Sequence, residues 1–269
     1  MRTEDAINFL LYSYFEITLG KNDVDNVIEA AIRRAYKDAS SHVLSIDEKI
    51  KSDEDPKKRG IEIIAPQVRK LLAGELTYCI FHQETCQKLK EKYEFISGKE
   101  GKREFTYGIA QKWVNMTMKY LCIINSIFSQ NKIELFGEYG EKLEELEAEL
   151  HVPIDSYILE SASHKEKTDD NKYGLEILIP RKEHCKEQEG FYSADSLAWS
   201  KWNFENEEDW KNPNNYYNKF QENVKKAIEK NIIMREDESR VKTPFEWEGL
   251  AWIEVAQERK NKEREKEKR

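Results

Sequence analysis

The sequence has no long apolar run, little glycine and proline, and few cysteines. No stretch of 18 consecutive apolar residues occurs, so no membrane-spanning helix is predicted. Only 11 Gly and 6 Pro occur in 269 residues, and sheets with their turns usually need more of both. The four cysteines, at positions 79, 86, 122 and 185, have no disulfide-like spacing, so we expect reduced thiols. These absences predict a mainly α protein.

A positive net charge is also lacking. The formal net charge is −8, although 36% of the residues are charged. This balance argues against a uniformly basic nucleic-acid binder, but a local basic patch still attracts a phosphate backbone. The first residues lack the basic and apolar regions of a signal peptide. We therefore expect a cytoplasmic protein that does not bind a membrane.

Helical periodicity extends through most of the chain. It predicts one compact multi-helix domain over residues 1–257, with at most a short β-hairpin near 174–193. An alternative divides this domain into two helical lobes, about 1–100 and 101–257. The unbroken charged run at 258–269 predicts a disordered tail.

The most apolar of the long predicted helices begins near Phe105 and follows a glycine- and lysine-containing segment, 97–103, that is predicted to be a loop. Apolar residues at helical spacing predict one buried stripe; its members are Ala110, Val114, Thr117, Leu121, Ile124 and Phe128. At about 100° per residue, Lys112 and Lys119 lie roughly opposite this stripe. The spacing therefore predicts a helix with an exposed lysine face. An earlier helix is predicted over 60–81, with a proline in its first turn.

Further along the chain, the segment 150–155 reads Leu-His-Val-Pro-Ile-Asp and predicts a proline-set turn. Asp155 follows this turn and is suited to cap the next helix. Lys112 and Asp155 are each placed near a predicted helix start, and they form the one pair that suggests a specific chemistry.

The run from Tyr107 to Lys112, followed by the Pro153-Ile154-Asp155 turn, resembles the helix-hairpin-helix DNA glycosylase superfamily. The similarity is to its lysine-nucleophile branch, which excises oxidised bases. In that family a hairpin ending in glycine leads into a helix that begins with the catalytic lysine, and a later turn presents an aspartate. The resemblance covers about 50 residues, and Ala110 stands at the position of the second hairpin glycine.

The resemblance implies a DNA glycosylase and abasic-site lyase that acts on a modified or oxidised base in duplex DNA. Lys112 would be the nucleophile, and Asp155 would stabilise the positive charge that develops on the sugar. Contacts with the nucleic acid would come from four residues, Gly108, Gln111, Lys119 and His151. The resemblance implies no metal and no cofactor.

Other interpretations of the same residues remain open. Lys112 as a solvated surface lysine and Asp155 as an ordinary helix cap would carry no chemistry. The chain would then be a non-catalytic helical binding module or accessory subunit, with the aromatic segment 199–220 as a surface for a protein partner. Three potential metal ligands, Cys79, His82 and Cys86, share one predicted helix face. Structural zinc sites usually take ligand pairs from turns, so core thiols are the favoured interpretation.

Overall fold

The structure is a computed structural model that describes residues 1–20, 22–39, 45–48, 55–98, 101–134, 136–161, 199–203, 215–230 and 239–267. Within these residues the protein is mainly α, as predicted. Backbone contacts group the chain into two compact units, Met1–Glu147 and Ala148–Arg269. That one domain spans 1–257 stays a prediction, as does a division into lobes near residue 100.

The helices account for most of the described residues in both units. In the first unit they are α1 (Thr3–Phe15), α2 (Val24–Ala39), α3 (Pro56–Leu72), α4 (Tyr78–Lys92), α5 (Tyr107–Gln130) and α6 (Glu138–Leu146). In the second unit they are α7 (Ser156–Ser161), a short 3-10 turn (Trp199–Lys201), α8 (Tyr216–Glu229) and α9 (Pro244–Glu267). None of these helices is both long and apolar enough to cross a membrane.

Helix α5 lies at the centre of the first unit, where α2, α4 and α6 pack against it. All six residues of the predicted stripe are buried, as expected. The prediction of an exposed lysine face is wrong for the first turns of the helix. Every residue from Tyr107 to Asn115 is buried, including Lys112. Periodicity predicts a polar face for a helix that packs on one side only, and α5 packs on several sides.

Trp113 determines how α2, α3 and α5 meet. Its indole is fully buried, and its Nε1 donates a hydrogen bond to the carbonyl oxygen of Ile32 at 3.1 Å. The same ring lies against Gly60 of α3, where an added Cβ atom would be 2.1 Å from a ring carbon. The position of the Trp113 ring against α3 therefore requires glycine at position 60.

The helix predicted over 60–81 is in fact two helices. Helix α3 begins earlier, at a cap in which the Asp55 carboxylate accepts the Lys57 backbone N–H at 3.0 Å. Pro66, predicted in the first turn, lies inside α3. The helix continues through it because tertiary packing of the buried face offsets the lost hydrogen bond. Gly74, with a φ of +74°, follows the end of α3, and Thr77 caps α4.

The strands lie at positions that the sequence pattern did not predict. Strands β1 (Ser45–Glu48), β2 (Tyr93–Gly98) and β3 (Gly101–Glu104) form an antiparallel sheet in the order β1-β2-β3. Residues 97–98 and 101–103 of the predicted loop are thus in paired strands, in which Gly98 pairs with Gly101. Aromatic and β-branched residues before Gly98 favour a strand, but the run is too short to be recognised by its period. The hairpin predicted near 174–193 lies outside the described residues.

The second unit has a separate core around Trp247, which is fully buried. Its ring meets the Phe220 ring edge-on, with the two centroids 6.3 Å apart, and α9 packs against both α7 and α8. Helix α9 extends to Glu267, so the charged run at 258–267 belongs to this helix, while disorder of the tail stays a prediction. Glu, Lys and Arg favour helix, and pairs such as Lys262–Glu258, with a 3.7 Å separation of Nζ and Oε2, add support.

Candidate functional site

Lys112 lies in the second turn of α5 and does not open the helix. Thr106 is the N-cap, and its Oγ1 accepts the Ile109 backbone N–H at 3.4 Å. Residues 107–111, predicted to end a hairpin, are therefore the first turn of α5. The threonine explains the difference, because a capping side chain allows the helix to begin before the glycine at position 108.

Lys112 is only 8% exposed. Lysine is among the residues that are least often buried, because removing an ammonium group from water has a large free-energy cost. The solvated surface lysine considered as an alternative is therefore wrong. Lys119, two turns further along α5, is half-buried.

Polar side chains form a buried chain of hydrogen bonds along the same part of α5. The Tyr78 hydroxyl donates to Asn115 Oδ1 at 3.2 Å, and Asn115 Nδ2 donates to Gln111 Oε1 at 3.0 Å. Gln111 Nε2 in turn donates to the Gly108 carbonyl oxygen at 2.8 Å. Gly108 and Gln111, predicted to contact nucleic acid, are thus together in the core of the first unit. These hydrogen bonds satisfy polar groups that would otherwise be buried without partners.

A second buried group of side chains is connected to these hydrogen bonds through Asn115. His82 Nδ1 lies 3.4 Å from the Tyr107 hydroxyl, and its Nε2 lies 3.9 Å from Cys86 Sγ. Burial lowers the pKa of His82 from 6.5 to about 3, and a hydrogen bond with Asn115 only partly opposes that shift. Burial also raises the pKa of Cys86 and of Tyr107. All three side chains are therefore neutral at pH 7.

The three potential metal ligands of α4 do not converge. Cys79 is exposed, while His82 and Cys86 are buried. Among the described residues, no group of three or more His, Cys, Asp or Glu side chains is arranged to hold a metal ion. Cys79, Cys86 and Cys122 are free thiols in the described residues, and Cys185 lies outside them.

Asp155 caps α7, as the sequence predicted. Its Oδ1 accepts the backbone N–H groups of Tyr157 at 2.9 Å and of Ile158 at 3.1 Å. The carboxylate is half-buried, and it follows two buried residues, Pro153 and Ile154. Capping gives this residue a structural role, and a capping carboxylate keeps one defined orientation.

Helix α8 holds the residues that precede Asp155. His151 Nδ1 and the Tyr217 hydroxyl form a hydrogen bond of 2.8 Å, and their rings meet edge-on. Gln221 bonds to the backbone of Val152 through both ends of its carboxamide. His151, predicted to contact nucleic acid, is half-buried and engaged with Tyr217.

The aromatic segment 199–220 contributes to the core of the second unit. Trp202, Tyr217 and Phe220 are buried, and residues 204–214 lie outside the described part of the chain. The exposed apolar side chains of the described residues include three on α1, where Phe9 is 68%, Leu10 65% and Tyr12 62% exposed.

The predicted site residues are thus distributed over both units. Lys112, Gly108, Gln111 and Lys119 are on α5 of the first unit, and the 151–155 turn belongs to the second unit. Sequence reasoning missed Asn115, although it lies four residues after Gln111 on the same helix face, which was a usable signal. It also missed Gln221, for which no local pattern gave a signal.

Comparison of the chain with protein-family models, with curated proteins and with solved structures gives no match.

Proposed function

We propose that the protein is a lysine-nucleophile DNA glycosylase and abasic-site lyase acting on a modified or oxidised base in duplex DNA. The observation that supports this proposal best is the burial of Lys112 in the second turn of the central helix. A lysine that served only solubility would be exposed, whereas a nucleophilic lysine requires surroundings with little water.

The proposed chemistry begins at the sugar of the damaged nucleotide. The amine of Lys112 attacks C1′, a C–N bond forms, and the bond from C1′ to the base breaks. The base leaves with its bonding electrons and takes up a proton. The sugar ring opens to give an imine, and loss of a C2′ proton then breaks the C3′–O bond of the DNA strand.

Asp155 is proposed to stabilise the positive charge that develops on the sugar as the base departs. Its orientation supports this role, because two backbone N–H groups of α7 hold one carboxylate oxygen. An ionised carboxylate with a defined orientation stabilises a transition-state cation without first having to reorganise.

Trapping with borohydride tests the nucleophile. Borohydride reduces an imine to a stable amine, so incubation with duplex DNA that contains an oxidised base should yield a covalent protein–DNA adduct. Lys112→Gln should abolish the adduct and keep the fold, because Gln retains much of the side-chain stem and a similar helix propensity. Lys119→Gln, on the same helix, is the comparison variant: loss of a predicted DNA contact should weaken binding, but the adduct should still form at saturating protein. Absence of an adduct with wild-type protein on several damaged duplexes would exclude the proposed function.

Substitution of the carboxylate tests the second role. Asp155→Asn should slow base release by about 100-fold, the scale typical of removing one electrostatic group from an active site. The free energy of unfolding should fall by less than about 1 kcal/mol, because Asn caps a helix nearly as well as Asp. Equal rates for the variant and the wild type would leave Asp155 with its capping role alone.

A non-catalytic binding module is the second candidate function, and the exposed apolar side chains of α1 favour it. Exposed apolar surface commonly marks a protein–protein contact when several such side chains lie together. A partner would therefore present an apolar helix face or groove to Phe9, Leu10 and Tyr12, and the segment 199–220 remains the surface predicted from sequence.

A photo-crosslinking amino acid at position 9 tests this candidate. It should give a discrete adduct with a partner protein in the source cell, whereas the same group at Ile80, which is 44% exposed on α4, should not. Base release by the purified protein would favour the glycosylase instead. Equal cross-linking from both positions would argue against a specific partner on α1.

A further inference from the structure

One side chain of α8 pairs with the backbone of the Asp155 turn as a neighbouring β-strand would. Gln221 Nε2 donates to the Val152 carbonyl oxygen at 2.8 Å, and the Val152 N–H donates to Gln221 Oε1 at 2.9 Å. Gln221 is 4% exposed and Val152 is fully buried. Both hydrogen bonds are therefore shielded from competing water.

This pairing matters because the turn has no regular structure of its own. Residues 151–155 are neither helix nor strand, so the buried polar groups of their backbone need partners from elsewhere. Gln221 supplies a hydrogen-bond acceptor for the Val152 N–H and a donor for the Val152 carbonyl oxygen. From there Pro153, with its restricted φ angle, and the fully buried Ile154 lead directly to Asp155.

Helix α8 holds the turn at a second point, one helical turn earlier. Tyr217 lies four residues before Gln221, on the same face of α8, and its hydroxyl bonds to His151 Nδ1 at 2.8 Å. Two consecutive residues of the turn are thus attached to one helix. Two attachments restrain both the position and the rotation of the segment that ends in Asp155.

We infer that Gln221 is a positioning residue, which fixes the backbone from which the Asp155 carboxylate acts in base excision. This inference rests on the proposed function. The hydrogen bonds to Val152 set the path of the backbone, and the cap of α7 sets the direction of the carboxylate. Gln221 touches no substrate and acts only through the turn.

Hydrogen exchange tests the structural half of the inference on the full chain. Gln221→Met keeps the length of the side chain and removes both hydrogen bonds, so the Val152 amide should exchange at least 10-fold faster than in the wild type. Gln221→Glu is the second variant if Met disturbs packing. Its carboxylate still accepts the Val152 N–H, but it no longer donates to the Val152 carbonyl oxygen. In the glutamate variant the Val152 amide keeps an acceptor and should stay protected. Unchanged exchange at Val152 in Gln221→Met would overturn the inference.

A matched control is available on the same helix. Asn223 is 7% exposed, and its Nδ2 donates to the Lys219 carbonyl oxygen of α8 itself at 2.7 Å. Asn223→Ala therefore removes a buried amide hydrogen bond of α8 without touching the turn. The Val152 amide should remain protected in this variant, and faster exchange there would show that any damage to α8 releases the turn, which overturns a specific role for Gln221.

Measurements of enzymatic activity test the catalytic half of the inference. Base release from damaged duplex DNA should fall by 10-fold to 100-fold in Gln221→Met, because a small misplacement of a reacting group has effects of this size. Borohydride trapping on a preformed abasic site should be unchanged, since no base has to leave and Lys112 alone forms the imine. An equal loss of both activities would overturn the positioning role. If the wild type shows neither activity, the proposed function fails together with the catalytic role of Gln221, while hydrogen exchange still decides whether Gln221 holds the turn.

Discussion

Individual residues control how the helices of the first unit pack, and Gly60 is the strongest case. Alanine is normally favoured over glycine inside a helix by about 1 kcal/mol. At position 60 an added Cβ would lie 2.1 Å from the buried Trp113 ring, and the indole is held by its hydrogen bond to Ile32. At this position the clash of an added Cβ with the Trp113 ring therefore costs more free energy than the higher helix propensity of alanine provides.

Replacement of two helical glycines tests this argument. Gly60→Ala should lower the free energy of unfolding by about 2 kcal/mol or more. Gly249→Ala, in α9, has no atom within 4 Å of the added Cβ and should raise it by about 0.5–1 kcal/mol. Urea denaturation of the three proteins measures both effects. A stabilised Gly60→Ala protein would show that Trp113 moves aside at little cost.

His82 makes the stability of the first unit depend on pH. Burial depresses its pKa from 6.5 to about 3 in the folded chain, so between these values the unfolded chain binds a proton that the folded chain does not. The contribution of His82 is fully present above pH 6.5, and it decreases as the pH falls toward 3. The slope approaches about 1.4 kcal/mol per pH unit.

Denaturation at several pH values measures this effect. The difference in unfolding free energy between wild type and His82→Gln should change by about 1.4 kcal/mol per pH unit between pH 4 and 6. The variant lacks only the His82 imidazole, so its remaining pH dependence reports the carboxylates and the four other histidines of the chain. Parallel curves for the two proteins would show that His82 titrates normally in the folded state.

At the scale of elements, α9 combines a buried half with an exposed one. Its first turns pack Trp247, Ala251 and Val255 into the second unit, and every residue from Lys260 to Glu267 is exposed. Between the two halves, Arg259 Nε donates to Glu160 Oε2 of α7 at 2.8 Å. The guanidinium also lies 3.9 Å from the centroid of the Tyr157 ring. Contacts of α9 with the rest of its unit thus become sparse beyond Arg259.

Truncation of α9 should show this division. Deletion of residues 261–269 should reduce the helical signal in circular dichroism and change the unfolding free energy by less than about 0.5 kcal/mol. Arg259→Ala should lower the free energy by about 1 kcal/mol, because it removes the ion pair and the contact with the Tyr157 ring. A large loss of stability on deletion would show that the exposed end of α9 has a packing role.

At the scale of the whole molecule, the two compact units have separate cores around Trp113 and Trp247. The unit Met1–Glu147 contains one of the six tryptophans of the chain, Trp113. Its core is formed by α5 with α2, α4 and α6, all within that range. The first unit therefore has the internal packing that a domain needs to fold alone.

Expression of residues 1–147 as a separate protein tests this expectation. Its fluorescence should be blue-shifted, as is typical of a buried indole, and should shift to the red in one cooperative transition with urea. The Trp113→Phe fragment has no tryptophan, so the difference between the two emission spectra is the emission of Trp113. Red-shifted emission from the fragment without denaturant would show that the first unit requires the second to fold.

The sequence by itself determined the mainly α class, the buried stripe of α5 and the cap at Asp155. These features depend on residues within a few positions of one another, through helical period and capping chemistry. It also singled out Lys112, but only as a residue type near a helix start, and it placed that residue on an exposed face.

The tertiary structure alone decided that Lys112 is buried, that position 60 must be glycine, and that Gln221 holds the turn before Asp155. Each depends on contacts between residues far apart in the chain: 69 positions separate Val152 from Gln221, and 81 separate Ile32 from Trp113. Local periodicity reports one face of one helix, whereas burial on several sides depends on which other elements pack there. The same reason explains the sheet, whose β1 and β2 pair across more than 40 intervening residues.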